Sequence, residues 1–380
     1  QRLGAELLCR AQMVAARHGA DGWHIALAGL PLLAHAGVPC GEGVAVRREA
    51  DGARQRGHHF TEERDAGEEI AQHFSVTRTT VWSAIQAAEK LGVEIFSVRG
   101  KGYKLPRPVQ LLDEQAIMQA IGTERAWFHV QLHDSLPSTN SFLMQVADPD
   151  IAYAAPHATC VVTQLQTVGK GRRGRDWRSA LGASLTFSLL WRFQCGAAAL
   201  SGLSLAIGVG LIRALHSLGL PQARLKWPND VLIWQGDFPA KLAGILIELQ
   251  GDMDGPSAAV IGVGMNMHLP DSVKQQIDQP VCDLYQWLGA DMDANIVLGS
   301  LLKHLSEVLR VFEQQGFLAL REEWLQYHAF HQQSVRLLMP DGREQLAQVT
   351  GVGEDGILLV NTAQGEQRLA AGEISMRGVA

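Results

Sequence analysis

Four segments between residues 166 and 267 carry residue types that can do chemistry. The first is Gly169-Lys170-Gly171-Arg172-Arg173-Gly174-Arg175-Asp176-Trp177, and one Lys and four Arg fall between residues 170 and 178. Glycines let a backbone approach a ligand closely, while guanidinium forks grip phosphate or carboxylate. Such a density of like charge repels itself, so the loop is expected to be disordered alone and to order over an anionic ligand. The other three are Lys226-Trp227-Pro228-Asn229-Asp230, Lys241-Leu242-Ala243-Gly244-Ile245-Leu246-Ile247-Glu248 and Gly262-Val263-Gly264-Met265-Asn266-Met267. Each sets polar residues beside apolar, strand-like text. Lys241 and Asp230 would be costly to bury singly, which calls for a pair or a ligand.

The first segment contains a G-x-G-x-x-G match, which is weak alone. A dinucleotide fold wants a helix starting inside the motif and an acidic ribose partner about 20 residues on. Here the next acidic residue after Asp176 is Asp230, and the text after the glycines runs into a strand. A kinase glycine loop would need VAIK-, HRD- and DFG-like partners, and a Walker loop would need G-x-x-x-x-G-K-[ST]; neither set is present.

The elements that must position these segments alternate. Strand-like runs (TCVVTQL, ASLTFSLLW, VLIW, AAVIGVGMNM) and helical runs near 114–121, 139–147, 198–218 and 294–315 indicate one α/β domain, here bounded at 108–327. Residues 328–380 hold short strand-like runs separated by Asp-Gly, Gly-Glu and Gly-Gln turns, the pattern of a small SH3-like β-barrel.

Ahead of the Pro106 and Pro108 linker, residues 61–107 read differently. GEEIAQHF is a short amphipathic helix with Ile70, Ala71 and Phe74 on one side. TRTTVWSAIQAAEKLG follows, with Thr77 as N-cap, Val81, Ile85 and Ala88 on one face, and Gly92 as stop. Two extended runs, VEIFSV and GYKL, flank the turn Arg99-Gly100-Lys101-Gly102. This is a winged helix-turn-helix. Thr77, Arg78, Thr79, Thr80 and Ser83 would meet the major groove, with Arg99, Lys101 and Lys104 on phosphate. Residues 67–107 hold six Lys/Arg against four Asp/Glu, a local excess of basic charge on the presumptive reading elements. A small helical domain for protein contacts is the bland alternative. Residues 1–60 show no sustained helical or strand period and are left unassigned.

The remaining composition excludes several classes. A net charge of -6 over 380 residues is not that of an indiscriminate polyanion binder, so any DNA contact must be local. Five cysteines, none spaced C-x-x-C, argue for reduced thiols in a cytoplasmic protein. The uncharged run between Arg192 and Arg213 is just long enough to span a bilayer, but its small residues and serines point to a buried helix, and no membrane association is expected. His328 and His331, three apart, lack a third ligand nearby and are not read as a metal site.

The set GKGRRGRDW, KWPND, KLAGILIE and GVGMNM, in this order, resembles the biotin–protein ligases. The helix-turn-helix and the GKGY wing are similar to the bifunctional bacterial members, which also repress biotin-synthesis genes. The resemblance covers about residues 66 to 380 and is most specific over 138 to 268. It leaves out residues 1–60, where the family would place its first DNA-binding helix. It implies a central class II synthetase-like α/β fold, ATP, biotin and Mg²⁺ as ligands, and a biotin carboxyl carrier domain as acceptor. Operator DNA and a homodimer formed on the adenylate are implied as well.

Residue by residue, the resemblance puts Ser138-Thr139-Asn140 and Gln166 on the biotin site, with Gly169, Lys170, Gly171 and Arg172 in the loop. The loop's usual first Arg is Lys170 here, which keeps charge and loses a bidentate fork. Lys241 matches the lysine that reaches both the biotin carboxylate and the α-phosphate, while Asn229, Gly264 and Asn266 fall in matching motifs. Lys241 and Arg172 are the implied charge stabilisers. Asp230 is the candidate for assisting the acceptor amine, against a structural pairing with Lys226 or Lys241. Trp177 and Trp227 either pack against the ligand or fill core. Two other readings stay open: a ligand-sensing DNA-binding regulator without turnover, and a lipoate-attaching relative.

Overall fold

The computed structural model describes residues 12–17, 23–28, 71–72, 76–98, 102–104, 109–251, 254–289, 291–339, 342–370 and 374–378. The chain separates into two compact units, Gln1–Val109 and Gln110–Ala380.

In the first unit, strands β1 (Gln12–Arg17) and β2 (Trp23–Ala28) pair antiparallel, in a region where the sequence pattern indicates neither strand nor helix. Both are short and nearly unalternating (QMVAAR, WHIALA), so period two is not visible in them. Helix α1 (Arg78–Lys90) starts at Thr77, whose hydroxyl accepts the Thr80 N–H at 3.1 Å. Val81, Ile85 and Ala88 are its buried residues, as their 3.6-residue spacing requires. Strands β3 (Phe96–Val98) and β4 (Gly102–Lys104) form the wing. Of the preceding helix only Ala71 and Gln72 are described; Ile70 and Phe74 lie outside the described residues.

The second unit is built on a seven-stranded mixed sheet. Helix α2 (Glu114–Ile121) leads into β5 (His129–Leu136), and α3 (Thr139–Val146) into β6 (Thr159–Gln166). A small hairpin, β7 (Gly169–Lys170) and β8 (Asp176–Trp177), precedes β9 (Ser184–Phe193) and α4 (Leu203–Ser217). Then come β10 (Arg224–Lys226), β11 (Asp230–Gln235), β12 (Phe238–Gly251) and β13 (Ser257–Asn266). The sheet order is β10-β11-β12-β13-β9-β6-β5, with β5 and β6 parallel and every other pair antiparallel. Helices α5 (Ala294–Gln315) and α6 (Leu318–Tyr327) complete the layer around α4.

Alternate residues of the central strands enter two different cores. Cys160, Val162, Leu189, Trp191, Ala259 and Ile261 join the main cluster with α2, α4 and α5. Val161, Leu190 and Val260 face the other way and pack with Leu143 and Ala147 around α3. A sheet covered on both faces reads as a near-continuous apolar run, which is how β9 looks in the sequence. The segment Ala197–Ser217 is long and apolar enough to cross a bilayer. In the fold, most of α4 is instead buried between the sheet and α5; its Arg213 leaves the core as a two-pronged pair with Glu323 (2.8 and 2.5 Å).

The chain ends in a five-stranded sheet of β14 (Ser334–Leu338), β15 (Glu344–Val352), β16 (Leu358–Thr362), β17 (Gly365–Leu369) and β18 (Ser375–Gly378), in the order β17-β16-β15-β14-β18. Its apolar face shares one continuous core with the larger sheet. At the junction, the His328 ring stacks on Trp324 at 4.5 Å and meets the edge of Phe330, so packing absorbs it.

Burial, reinforced by His331, pushes the His328 pKa down to about 3. The unfolded chain takes up this proton near pH 6.5, so stability is complete above that pH and falls by about 1.4 kcal/mol per pH unit below it. His328→Phe, which keeps the stack, is expected to flatten the acid limb of stability measured by urea titration between about pH 6.5 and 4; an unaltered limb would assign acid sensitivity to other groups.

Candidate active site

The pocket floor is two rows of directly paired residues on one face of the sheet. Gly244, Gly264 and Thr186 form one row across β12, β13 and β9; Leu246 and Gly262, paired across β12 and β13, form the next. Two glycines are needed for what lies above them. A Cβ at Gly262 would collide with the Asn140 amide, and one at Gly264 with the Trp177 indole. The sheet therefore lets α3 and the β7–β8 hairpin approach closely enough to wall a cavity.

Lys241 reaches this face through an irregularity. Lys241 and Gly244 are three residues apart, a separation that regular alternation places on opposite faces, yet both line the pocket. The register of β12 against β11 slips between Val231 and Leu232, pairing Leu232 with Lys241 and Val231 with Ala243. Leu242 is thus the extra residue of a bulge, and it re-aims Lys241. The lysine backbone is pinned from outside the strand: its N–H donates to the Pro280 carbonyl (2.9 Å) and its carbonyl accepts from Cys282 (3.0 Å).

The lysine amine is 2.7 Å from Asp230 Oδ1, and Lys226 Nζ lies 3.7 Å from Oδ2 of the same carboxylate. Burial on its own would raise the Asp230 pKa, but Lys241, Lys226 and Arg172 together outweigh it and hold the group below its ordinary range. Lys226 shifts down, chiefly through burial, with Asp230 opposing and Lys241 adding to the shift. Arg172 is also lowered, by burial first and then by Arg173, with Asp230 opposing. The centre is one buried carboxylate held among Lys241, Lys226 and Arg172.

The basic segment, expected to be disordered until an anionic ligand orders it, forms a hairpin, with Gly169 paired to Trp177 and Lys170 to Asp176. Gly171 N–H donates to the Arg175 carbonyl at 2.6 Å, closing the turn that holds Arg172 and Arg173. Arg172 reaches inward, and its Nη1 donates to Asn229 Oδ1 at 3.1 Å. Asn229 is stapled to β12 in turn, through its amide to the Ile245 carbonyl (2.8 Å) and its own carbonyl to the Ile245 N–H (2.9 Å). It follows a cis Trp227–Pro228 bond. Trp177 stands 5.6 Å from the Lys241 amine, ring centroid to nitrogen, in cation–π contact.

On the far wall, Ser138 caps α3 by accepting the Ser141 N–H (3.3 Å), placing Thr139 and Asn140 at the helix start. The Thr139 N–H donates to Gln166 Oε1 at 2.9 Å. Ser138, Thr139, Asn140 and Gln166 thus line one cavity with Lys170, Gly171, Arg172, Trp177, Asn229, Lys241 and Gly264.

Four expected site residues are not on that lining. Gly169 is a strand residue of the hairpin, paired with Trp177 and close against the Trp177 carbonyl. Trp227 is 1% exposed and donates its indole N–H to the Gly356 carbonyl (3.0 Å), so it fills core and joins the terminal sheet. Asn266 gives its amide protons to the Lys241 and Cys282 carbonyls (3.2 and 3.0 Å), bracing the lysine from behind. Asp230 lies beneath Lys241. Sequence reasoning missed Thr186, Phe187, Gly244, Ile245, Leu246, Gly262 and Val263 on the lining. Gly244 and Gly262 sit inside motifs already singled out and were the available signal; Thr186 and Phe187 sit in ordinary strand text. In the first unit, Thr77, Arg78, Thr79 and Ser83 are exposed and Thr80 half-buried at the start of α1, while Arg99 and Lys101 lie outside the described residues.

The sequence profile of the biotin/lipoate A/B protein ligase family matches residues 134–266, that of an HTH domain residues 61–104, and that of the biotin protein ligase C-terminal domain residues 331–377. The bifunctional ligase/repressor BirA of Salmonella typhimurium is 34% identical over 312 residues, covering 82% of this chain and 93% of that protein. The Escherichia coli (strain K12) protein of the same name is 34% identical over 313 residues, covering 82% and 92%. The solved biotin protein ligase from Aquifex aeolicus in complex with biotin and ATP superposes with a TM-score of 0.54 at 27% identity, over 66% of this chain and 99% of that one. The chain belongs to the biotin protein ligase family, with bifunctional ligase/repressors among its relatives.

Removing Asp230 would leave Lys241 and Lys226 buried against each other. Breaking a buried pair from one side costs about 3–5 kcal/mol, so Asp230→Ala is expected to lower the unfolding free energy by that order in a denaturant titration. A loss under about 1 kcal/mol, the range of exposed pairs, would show that water already solvates the lysines.

Proposed function

We propose that the protein is an ATP-dependent biotin–protein ligase that makes biotinyl-5′-AMP and passes biotin to a lysine of a biotin carboxyl carrier protein. Through its helix-turn-helix it also acts as a biotin-responsive repressor at operator DNA. The observation that carries the catalytic reading is the convergence of Arg172 and Lys241, from two distant segments, on one pocket walled by Thr139, Asn140 and Gln166.

In this reading the biotin carboxylate attacks the α-phosphorus of ATP and pyrophosphate leaves. Lys241 and Arg172 stabilise the negative charge that grows on the phosphoryl oxygens. The β7–β8 hairpin covers the mixed anhydride and keeps water from it. The acceptor ε-amine then attacks the acyl carbon, and AMP departs. Mg²⁺ would arrive on the triphosphate and neutralise the leaving pyrophosphate. Asp230, held ionised by two lysines and an arginine, is a weak proton acceptor, so its assigned part is to aim Lys241.

The domain assignment proposed is 61–107 for DNA, 108–327 for catalysis and 328–380 for the SH3-like part, in a cytoplasmic protein. Thr77, Arg78, Thr79, Thr80 and Ser83 would read the groove, and Arg99 and Lys101 would hold phosphate. A homodimer formed on the adenylate would supply the two reading helices that paired half-sites need. Incubation with ATP, labelled biotin, an acceptor domain and competing lipoate tests the whole: label on the acceptor supports ligation, bound label without transfer a sensor, and lipoate preference a lipoate-attaching enzyme.

Lys241→Ala is expected to lower single-turnover adenylate synthesis about 10²–10³-fold, the usual cost of one charge-stabilising donor; retention of more than about a tenth of the rate contradicts its role. Arg172→Gly removes the link to Asn229 and should speed adenylate escape, labelling bystander lysines. A stopped-flow chase with unchanged release would count against gating by the hairpin.

A further inference from the structure

The strap that pins Lys241 has an anchor of its own, a carboxylate outside the four polar segments of the sequence. Strand β13 ends at Asn266, and its last pairing with β12 sets Met265 opposite Ala243. Lys241 therefore lies beyond that ladder, with backbone groups still to satisfy. Val281 takes the place of a strand partner, as an isolated parallel bridge to Lys241. The Pro280 carbonyl and the Cys282 N–H close the bridge at 2.9 and 3.0 Å.

The residue that follows holds this strap in place. Asp283 is wholly buried. Its Oδ2 accepts the Leu269 N–H (3.3 Å) and lies 2.9 Å from Lys274 Nζ, while its Oδ1 accepts the Gln286 N–H (3.2 Å). The His268 ring stands farther off, 3.9 Å from Nδ1 to Oδ2, and stacks on Tyr285, so Lys274 is the cation in contact. Residues 267–285 form a closed loop. The Leu284 N–H donates to the Asn266 carbonyl and the Tyr285 N–H to the Met267 carbonyl, both at 3.0 Å, which lays the two limbs side by side. Asp283 sits on the returning limb and clasps the departing one at Leu269 and Lys274. Because a buried charge stripped of its partner is strongly destabilising, the clasp ties strap and loop into one unit.

Neither Asp283 nor any of these partners lines the pocket. Its influence on the site must therefore pass along the strap backbone and reach Lys241 as position. We propose that Asp283 is a positioning residue for adenylate formation: paired with Lys274, it fixes the strap that sets where the Lys241 amine stands. This rests on the charge-stabilising part given to Lys241 above. A lysine carried on a bulge has no regular ladder to restore it once the strap relaxes. A misplacement of about 1 Å, caused far from the chemistry, can cost on the order of 10²-fold in rate.

The test is single-turnover adenylate synthesis at saturating biotin and ATP by the full chain, in wild type, Asp283→Asn, Lys241→Ala and the double variant, each first shown folded by urea titration. Asp283→Asn keeps the shape and removes the charge, and should slow synthesis by about ten- to a hundredfold. In the Lys241→Ala chain the same substitution should change the remaining rate by less than about twofold, because two residues acting through one interaction do not add. Lys274→Met should reproduce the Asp283→Asn loss, and Lys274→Arg, which keeps the cation, should recover most of the rate. That pair carries the test if Asp283→Asn does not fold. An equal loss with and without Lys241, an equal loss in both Lys274 variants, or a wild-type rate in Asp283→Asn overturns the inference and leaves the ligase reading standing. A wild-type rate in Lys241→Ala removes the part given to that lysine, and the inference with it.

Discussion

One buried carboxylate makes the rest of the site possible. Asp230 sits between Lys241 and Lys226 with Arg172 close enough to influence its protonation, and it neutralises part of a cluster that could not be buried bare. A lysine held by such a pair has its position fixed before any ligand arrives. The cost of that arrangement falls on the fold: it requires a bulge at Leu242, a strap from Pro280 to Cys282 and the Asn266 amide, all to hold one backbone position.

Much of this architecture is legible from residue patterns because its elements are strongly periodic or strongly apolar. Helix α2 has the bounds its pattern indicates, and α5 its full 294–315 span, because each opens on an Asp cap and carries a regular apolar stripe. Buried strands such as β9 and β13 announce themselves as continuous apolar runs. The polar motifs point to the cavity because ionisable residues beside apolar text need partners.

What stayed hidden depends on register. Nothing in KLAGILIE marks Leu242 as the bulged residue, since the slip is a property of pairing with β11 and not of β12 alone. Ser188 sits in the apolar run SLTFSLLWRF, and its hydroxyl meets the Asn140 amide only because α3 lies across the sheet. Trp227 and Asn266 fall inside ligand-like motifs, yet both work behind the pocket, because a motif records sequence proximity and not the side of the strand that a residue faces. The β1–β2 hairpin escaped for want of alternation.

The terminal sheet belongs to this same argument. Its Gly353–Gly356 turn lies against the start of α4, with the Ser201 hydroxyl donating to the Asp355 carbonyl at 2.5 Å and Gly356 so close to Gly202 that a Cβ would come within 2.8 Å of it. The Gly356 carbonyl also receives the Trp227 indole proton. Two residues on, Asn229 holds Arg172 of the hairpin. A line of contacts thus runs from the terminal sheet through Trp227 to the hairpin over the pocket. The terminal sheet therefore has a packed route to the segment that holds Arg172, through one indole hydrogen bond and two residues of backbone.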